Sequence, residues 1–298
     1  MRILLTGASG FIGRNLLASL AAQDTRHTIV AVSRHRPQEL PPGVEWNHAD
    51  MAQAGWTRAL PAEGCDAIVH LAQSQHYRDF PARVVDLVDV NVTATVELAD
   101  WAASHRVRRF LFASTGNVYG TQKGVHDEQD TCAPDSMYAA SKLCGEILLK
   151  PFSQSMDVVV MRLFGVYGPG QTNALMPAVI QQFFAGNPIT LGGGVGVMFN
   201  PIYVGDCCSV MSGLLVAAID GYRTFNVGGP EVVDLKDVAL LLEEATGRRA
   251  SIRITDDPPK YLVGSVERLR RLVHLERQTS LADGLRAMLA AQTSRTPV

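Results

Sequence analysis

The sequence predicts a doubly wound α/β fold, a parallel sheet with helices on both faces, joined to a smaller C-terminal α+β lobe. Two observations predict it. Through the first half of the chain, short and nearly unbroken apolar runs alternate with longer segments of helical pattern. A strand reads as continuously apolar only where both its faces are buried, the condition of a strand in a parallel sheet. Beyond about residue 165 that rhythm breaks into glycine-rich turns and isolated helices, as in an appended lobe.

The expected strands are Arg2–Thr6, Thr28–Ser33, Val44–Asn47, Asp66–Leu71, Arg109–Ser114 and Asp157–Leu163. Expected helices between them are Ile12–Ala22, Pro81–Ser104 and Ser136–Lys150, the last preceded by Pro134 and stopped at Pro151. Gly168-Pro169-Gly170 reads as a loop, and Gly192-Gly193-Gly194 with Gly196 as a turn between extended segments. Ile202–Val204 and Thr224–Val227 read as strands returning to the sheet, and Leu235–Thr246 and Leu281–Ala291 as helices of the lobe. The division expected is thus residues 1–165 as a dinucleotide-binding domain rejoined by 201–227, with 166–200 and 228–298 as a substrate-binding lobe. The last few residues read as disordered.

Bulk properties exclude several classes. The 298 residues carry a net charge of −2 with acids and bases scattered, which is no electrostatic footprint for nucleic acid. No run approaches the ~20 apolar residues needed to span a bilayer, and Met1–Gly7 turns polar too early for a secretion signal. Cys65, Cys132, Cys144, Cys207 and Cys208 are odd in number and form no C-x-x-C pair, so reduced thiols in the cytoplasm are expected. The eight histidines fall into no metal-binding spacing, so no metal is expected.

Gly7-Ala8-Ser9-Gly10-Phe11-Ile12-Gly13 follows the first strand and opens the first helix. Glycines there let backbone approach a pyrophosphate, and the helix N-terminus adds unpaired N–H groups and a positive dipole end. A carboxylate after the second strand would accept from a ribose 2′-OH, whereas arginine pairs with a 2′-phosphate. The chain reads Val32-Ser33-Arg34 there, and Arg14 directly follows the cradle. Arg14, Ser33 and Arg34 therefore favour NADP(H) over NAD(H), and Asp50-Met51 is placed to flank the adenine.

Tyr138-Ala139-Ala140-Ser141-Lys142 sets a phenol and an ammonium four residues apart on one helix face. A tyrosine with an ordinary pKa of ~10 is a poor base near neutrality, and a nearby ammonium and a positive nicotinamide ring would lower it. Tyr138 would then take the proton of an alcohol as hydride leaves its carbon. Thr115, with Ser114 behind it, ends a buried strand upstream and is the candidate hydroxyl to bind the reacting oxygen.

With these segments, His70-Leu71-Ala72, Arg162–Gly170 and Phe225–Gly229, the chain resembles the extended short-chain dehydrogenases over roughly residues 1–230. More narrowly it resembles the NAD-dependent epimerase/dehydratase family acting on nucleotide sugars. The resemblance implies a Rossmann domain, a substrate lobe, and hydride transfer at a sugar carbon, most specifically C4 of a nucleotide hexose. It implies a cofactor role for Gly7, Gly10, Phe11, Ile12, Gly13, Asp50, Met51, Leu71 and Ala72. It implies a catalytic role for Thr115, Tyr138 and Lys142, with Lys142 also on the nicotinamide ribose. A homodimer is expected as in the family, through apolar residues of the second and third helices such as Val84, Leu87, Val88, Val92, Leu143 and Leu148.

Three departures matter. Gly116 and Asn117 stand where the family's 4,6-dehydratases carry an acid pair, which disfavours dehydration. Gly165, Phe199 and Ile254 stand where family members commonly hold the substrate diphosphate, with Arg253 one residue away. The arginine signal pulls toward an NADPH-dependent ketoreductase rather than an epimerase that keeps NAD. A catalytically silent dinucleotide-binding sensor is the reading from another class; the full Thr115, Tyr138 and Lys142 set argues against it.

Overall fold

The computed structural model describes residues 1–23, 27–274 and 278–293. Seven strands form one sheet in the order Tyr222–Val227, Asp157–Leu163, Arg109–Thr115, Ala67–His70, Arg2–Thr6, Thr28–Ser33, Val44–His48. Every neighbouring pair is parallel. Arg2–Thr6 lies between Thr28–Ser33 on one side and Ala67–His70 on the other, so the chain reverses its direction of strand addition there. The crevice outside the C-terminal ends of strands at such a reversal is where open α/β sheets bind ligands.

Burial on both faces explains why the strands read as unbroken apolar runs. Ile3, Leu5, Leu111 and Val159 enter one apolar layer with Leu16, Leu17, Cys207 and Met211. Their chain neighbours Leu4, Phe110, Phe112 and Val158 enter the opposite layer with Leu98, Ala99 and Ala102. The helices Phe11–Ala22 and Val204–Val216 thus cover one face and Ala94–Ser104 the other.

Two elements differ from expectation. Ile202–Val204 is not a strand: beyond one bridge between Tyr167 and Tyr203, Val204 opens a thirteen-residue helix, Val204–Val216. Its buried residues Val204, Cys207, Cys208, Met211 and Leu215 recur at three and four, a helical stripe masked by the β-favouring triplet at its start. The expected helix over residues 81–104 begins only at Val84, and Val84–Val88 and Ala94–Ser104 are separated by a π-helical turn, Asp89–Thr93. That turn places Asn91 inward, fully buried.

The lobe is built from Leu175–Phe184, Leu235–Thr246 and Leu281–Thr293 around Tyr167, Ile180, Val238, Leu242 and Leu285. Ile189–Gly192 pairs with Ile252–Thr255, and Val197–Phe199 pairs with Lys260–Gly264, across the expected glycine turn. Among the described residues no helix is long and apolar enough to cross a membrane. The expected disorder concerns residues 294–298, which lie outside the described residues.

Candidate active site

The cradle is shaped by glycines that no other residue replaces. Gly7 has φ +69°, and a Cβ there would sit 2.7 Å from Ala72 N. A Cβ on Gly13 would sit 2.2 Å from the Gly7 carbonyl oxygen, backbone that has nowhere to go. No side chain caps the helix Phe11–Ala22, which leaves its first-turn N–H groups for a ligand. A phosphate-bearing group fits a cradle of this kind.

The cradle floors one end of a cleft of about 970 Å³. Of the predicted cofactor residues, Gly7, Gly10, Phe11, Ile12, Gly13, Ser33, Arg34, Asp50, Met51, Leu71 and Ala72 line this cleft, and at its far end so do Thr115 and Tyr138. Arg14 and Lys142 do not line it. The Arg14 guanidinium donates to the Gly170 carbonyl. Lys142, 1% exposed, donates from Nζ to the Ala113 carbonyl at 2.9 Å, over the Phe112 ring.

Tyr138 donates from its hydroxyl to Gln73 Oε1 at 3.3 Å, and its ring packs 5.1 Å from that of Tyr77. Burial pushes its phenol up to about 12, the Thr115 hydroxyl partly opposing this. Burial alone pushes the Lys142 amine down to about 7. Protein groups by themselves thus leave the phenol protonated, and the expected acidification by Lys142 is not seen, because that amine is desolvated and turned toward Ala113. The remaining source is a positive nicotinamide ring. Adding NAD⁺ is therefore expected to lower the titration of Tyr138 from about 12. The phenolate absorbance difference between wild type and Tyr138→Phe checks this; an unmoved titration would refute it.

Behind these groups lie residues that sequence reasoning missed. Ser114 borders the cleft with Thr115, and its Oγ donates to Glu146. Glu146 pairs with Arg162 at 2.7 Å, with side chains 3% and 8% exposed. Arg162 donates to the Tyr119 hydroxyl, and Tyr119 to Asn226 Oδ1, each at 2.8 Å. Glu146 sits four residues beyond Lys142 on the same helix, a spacing the sequence does display. On the cofactor side, Asn91 accepts from Ser74 N at 2.8 Å and donates to Ser141 Oγ at 2.9 Å. His70 bridges Thr6 and Thr95, and since the Thr95 hydroxyl donates to Asn91 O, His70 Nε2 must be the donor to Thr95. Burial, then Lys142, hold this histidine near a pKa of about 3, fixing it neutral.

The departures have physical causes. A Cβ on Gly116 would meet the buried Phe164 ring at 2.5 Å, so an acid does not fit there. Phe199 is 2% exposed and belongs to the apolar core of the lobe, beside Gly165 at φ +57°. Ile254 is 69% exposed, and Arg253 donates to Thr190 Oγ1 at 3.1 Å. None of these positions presents a cation to the cleft.

A family model described as "NAD dependent epimerase/dehydratase family" matches residues 3–228. Among curated relatives, an uncharacterized UDP-glucose epimerase of Bacillus subtilis is 28% identical, covering 99% of this chain and 98% of its own. A dTDP-glucose 4,6-dehydratase of Streptomyces griseus is 30% identical, covering 97% and 93%. Among solved structures, UDP-glucuronic acid 4-epimerase from Bacillus cereus in complex with NAD superposes with TM-score 0.86 at 25% identity, over 99% of both chains. MoeE5 in complex with UDP-glucose and NAD gives 0.85 at 25% identity, again over 99% of both.

These comparisons correct the cofactor. The family is NAD-dependent and the neighbouring structures hold NAD, against the expected preference for NADP(H). The physical reason is visible in two of the three residues that carried the expectation. Arg14 is engaged with the carbonyl of Gly170. The Ser33 hydroxyl donates to His35 O and accepts from Trp46 Nε1. Of the three, only Arg34 keeps a side chain at the cleft with no partner among the described residues.

Proposed function

The chain belongs to the NAD dependent epimerase/dehydratase family, and on that premise we propose that it is a nucleotide-sugar epimerase inverting C4 of the hexose. The observation that carries this reading is the pairing of Thr115 and Tyr138 at one end of a cleft whose other end is the glycine cradle. When bound, NAD supplies a hydride acceptor that also returns the hydride. The cradle from Gly7 to Gly13 would hold its pyrophosphate, and Asp50, Met51, Leu71 and Ala72 its adenosine half. Tyr138 Oη takes the proton from the substrate hydroxyl and gives it back, while Thr115 Oγ1 orients the reacting oxygen. Lys142, one turn behind, off the cleft wall and donating to Ala113 O, would have to turn its amine toward the cleft to reach the nicotinamide ribose. Without an acid at Gly116 or Asn117 the ketone formed has no partner for water elimination, which favours epimerisation over the dehydration named for several relatives.

Incubation with NAD and a panel including UDP-glucose, UDP-glucuronate and dTDP-glucose tests the reading. The expected product is a C4 epimer of one of them, with no net change in NADH absorbance. Loss of water or net NADH formation would contradict it.

We also infer a homodimer. Leu87 is spent in the core, but Val85, Val88, Ile147 and Leu148 are 68%, 37%, 61% and 42% exposed on two packed helices. Ile147→Asp is expected to halve the molar mass seen by light scattering, and a wild-type monomer at micromolar concentration would refute the dimer.

A further inference from the structure

Two hydrogen bonds tie the cradle side of the fold to the loop that borders the cleft ahead of the helix Leu175–Phe184. Just behind the cradle, Arg14 stands in the first turn of its helix and donates to Gly170 O, 156 residues away in sequence. Tyr77, packed against Tyr138, donates from its hydroxyl to Asn173 O at 3.3 Å. Both acceptors belong to one short loop between Tyr167 and the helix Leu175–Phe184. Gly170 has φ +77° and Asn173 φ +51°, a conformation that glycine and asparagine tolerate best. Gln171, Thr172 and Asn173 of this loop line the same cleft as Gly10 and Gly13. Among the described residues Arg14 has no carboxylate partner; beyond Gly170 it meets the face of Phe11.

We propose that Arg14 and Tyr77 form a two-point clasp holding the 168–174 loop over the dinucleotide, and that the clasp sets how long NAD stays on the chain. The inference rests on the epimerase reading above. In that cycle the hydride removed from a sugar must return to the same sugar, so a cofactor lost midway strands a ketone. Exposed hydrogen bonds make a suitable closure, strong enough to bias the loop and weak enough to let it open.

Removing one such bond shifts the closed-to-open ratio by roughly tenfold, the equivalent of ~1.4 kcal/mol. A clasp gates entry and exit alike. Arg14→Ala is therefore expected to raise both the association and the dissociation rate of NAD about tenfold, read by stopped-flow fluorescence, with Kd within about threefold of wild type. Tyr77→Phe, which keeps the ring against Tyr138, is expected to move both rates in the same direction. Arg14→Lys retains a donor and is expected to recover most of the slow exchange.

Three results would overturn the clasp. Unchanged rates in Arg14→Ala would show that the loop is held otherwise. Weaker Kd with unchanged association would show that Arg14 grips the phosphates directly. Wild type that binds no NAD would remove the cofactor reading itself, and the clasp with it; only that result touches the proposed function.

Discussion

Tyr138→Phe is expected to lower turnover by ~10²–10⁴-fold, the usual worth of a positioned acid–base group. The ring packs against Tyr77 whether or not it carries a hydroxyl, and what is lost is the long bond to Gln73 and the interaction with the Thr115 hydroxyl. Folding and NAD affinity should therefore stay near wild type, which separates this loss from a structural one. Thermal melting, NAD titration and kcat on the same preparation check it. A kcat within a few-fold of wild type would remove Tyr138 from the acid–base role.

Glu146→Ala is expected to be the most destabilising single change near the site. It leaves the Arg162 guanidinium, 8% exposed, without a counter-charge, and Ser114 without its acceptor. Breaking one partner of a buried ion pair costs about 3–5 kcal/mol, a large share of the ~5–15 kcal/mol that a domain has. Chemical denaturation should show that loss at unchanged m-value. Replacing both partners, Glu146→Leu with Arg162→Met, is expected to recover part of it, because no bare charge then remains. A single mutant within about 1 kcal/mol of wild type, the centre of the range for ordinary substitutions, would contradict the network.

What was legible in the sequence depended on how local its cause was. The cradle was readable because Gly13 is demanded by contact with Gly7 O inside one strand, turn and helix, and the glycine spacing that marks that unit brings Gly7 with it, although Gly7 is crowded by Ala72 from another strand's end. The parallel sheet was readable because burial on both faces leaves unbroken apolar runs. The helix from Val204 was not, since Ile202, Tyr203 and Val204 favour strands while the helical stripe only emerges over the next three turns. Pro81 to Arg83 stayed outside the second helix, whose π-turn no periodicity announces. At the site, residue types and spacing pointed to Thr115 and Tyr138, which the fold brings to one cleft. They did not reveal where Lys142 points, because its partner is a backbone carbonyl on another element. The cofactor was misread for the same reason: Arg14 looked like a phosphate ligand by its place beside the cradle, while its partner Gly170 lies on the far side of the chain. Charge counted in sequence says little until its partner is known.

Inversion at C4 through the Tyr138 and Thr115 site, with NAD supplying the hydride acceptor when bound, would keep the substrate's own C4 hydrogen in the product. Deuterium at C4 of the accepted substrate, followed by mass spectrometry and NMR of the product, tests this most directly. The expected product is a C4 epimer that keeps its deuterium at C4, with unlabelled NAD added to the solution neither consumed nor labelled. Deuterium appearing in the added cofactor pool, or exchanged for solvent hydrogen, would contradict it.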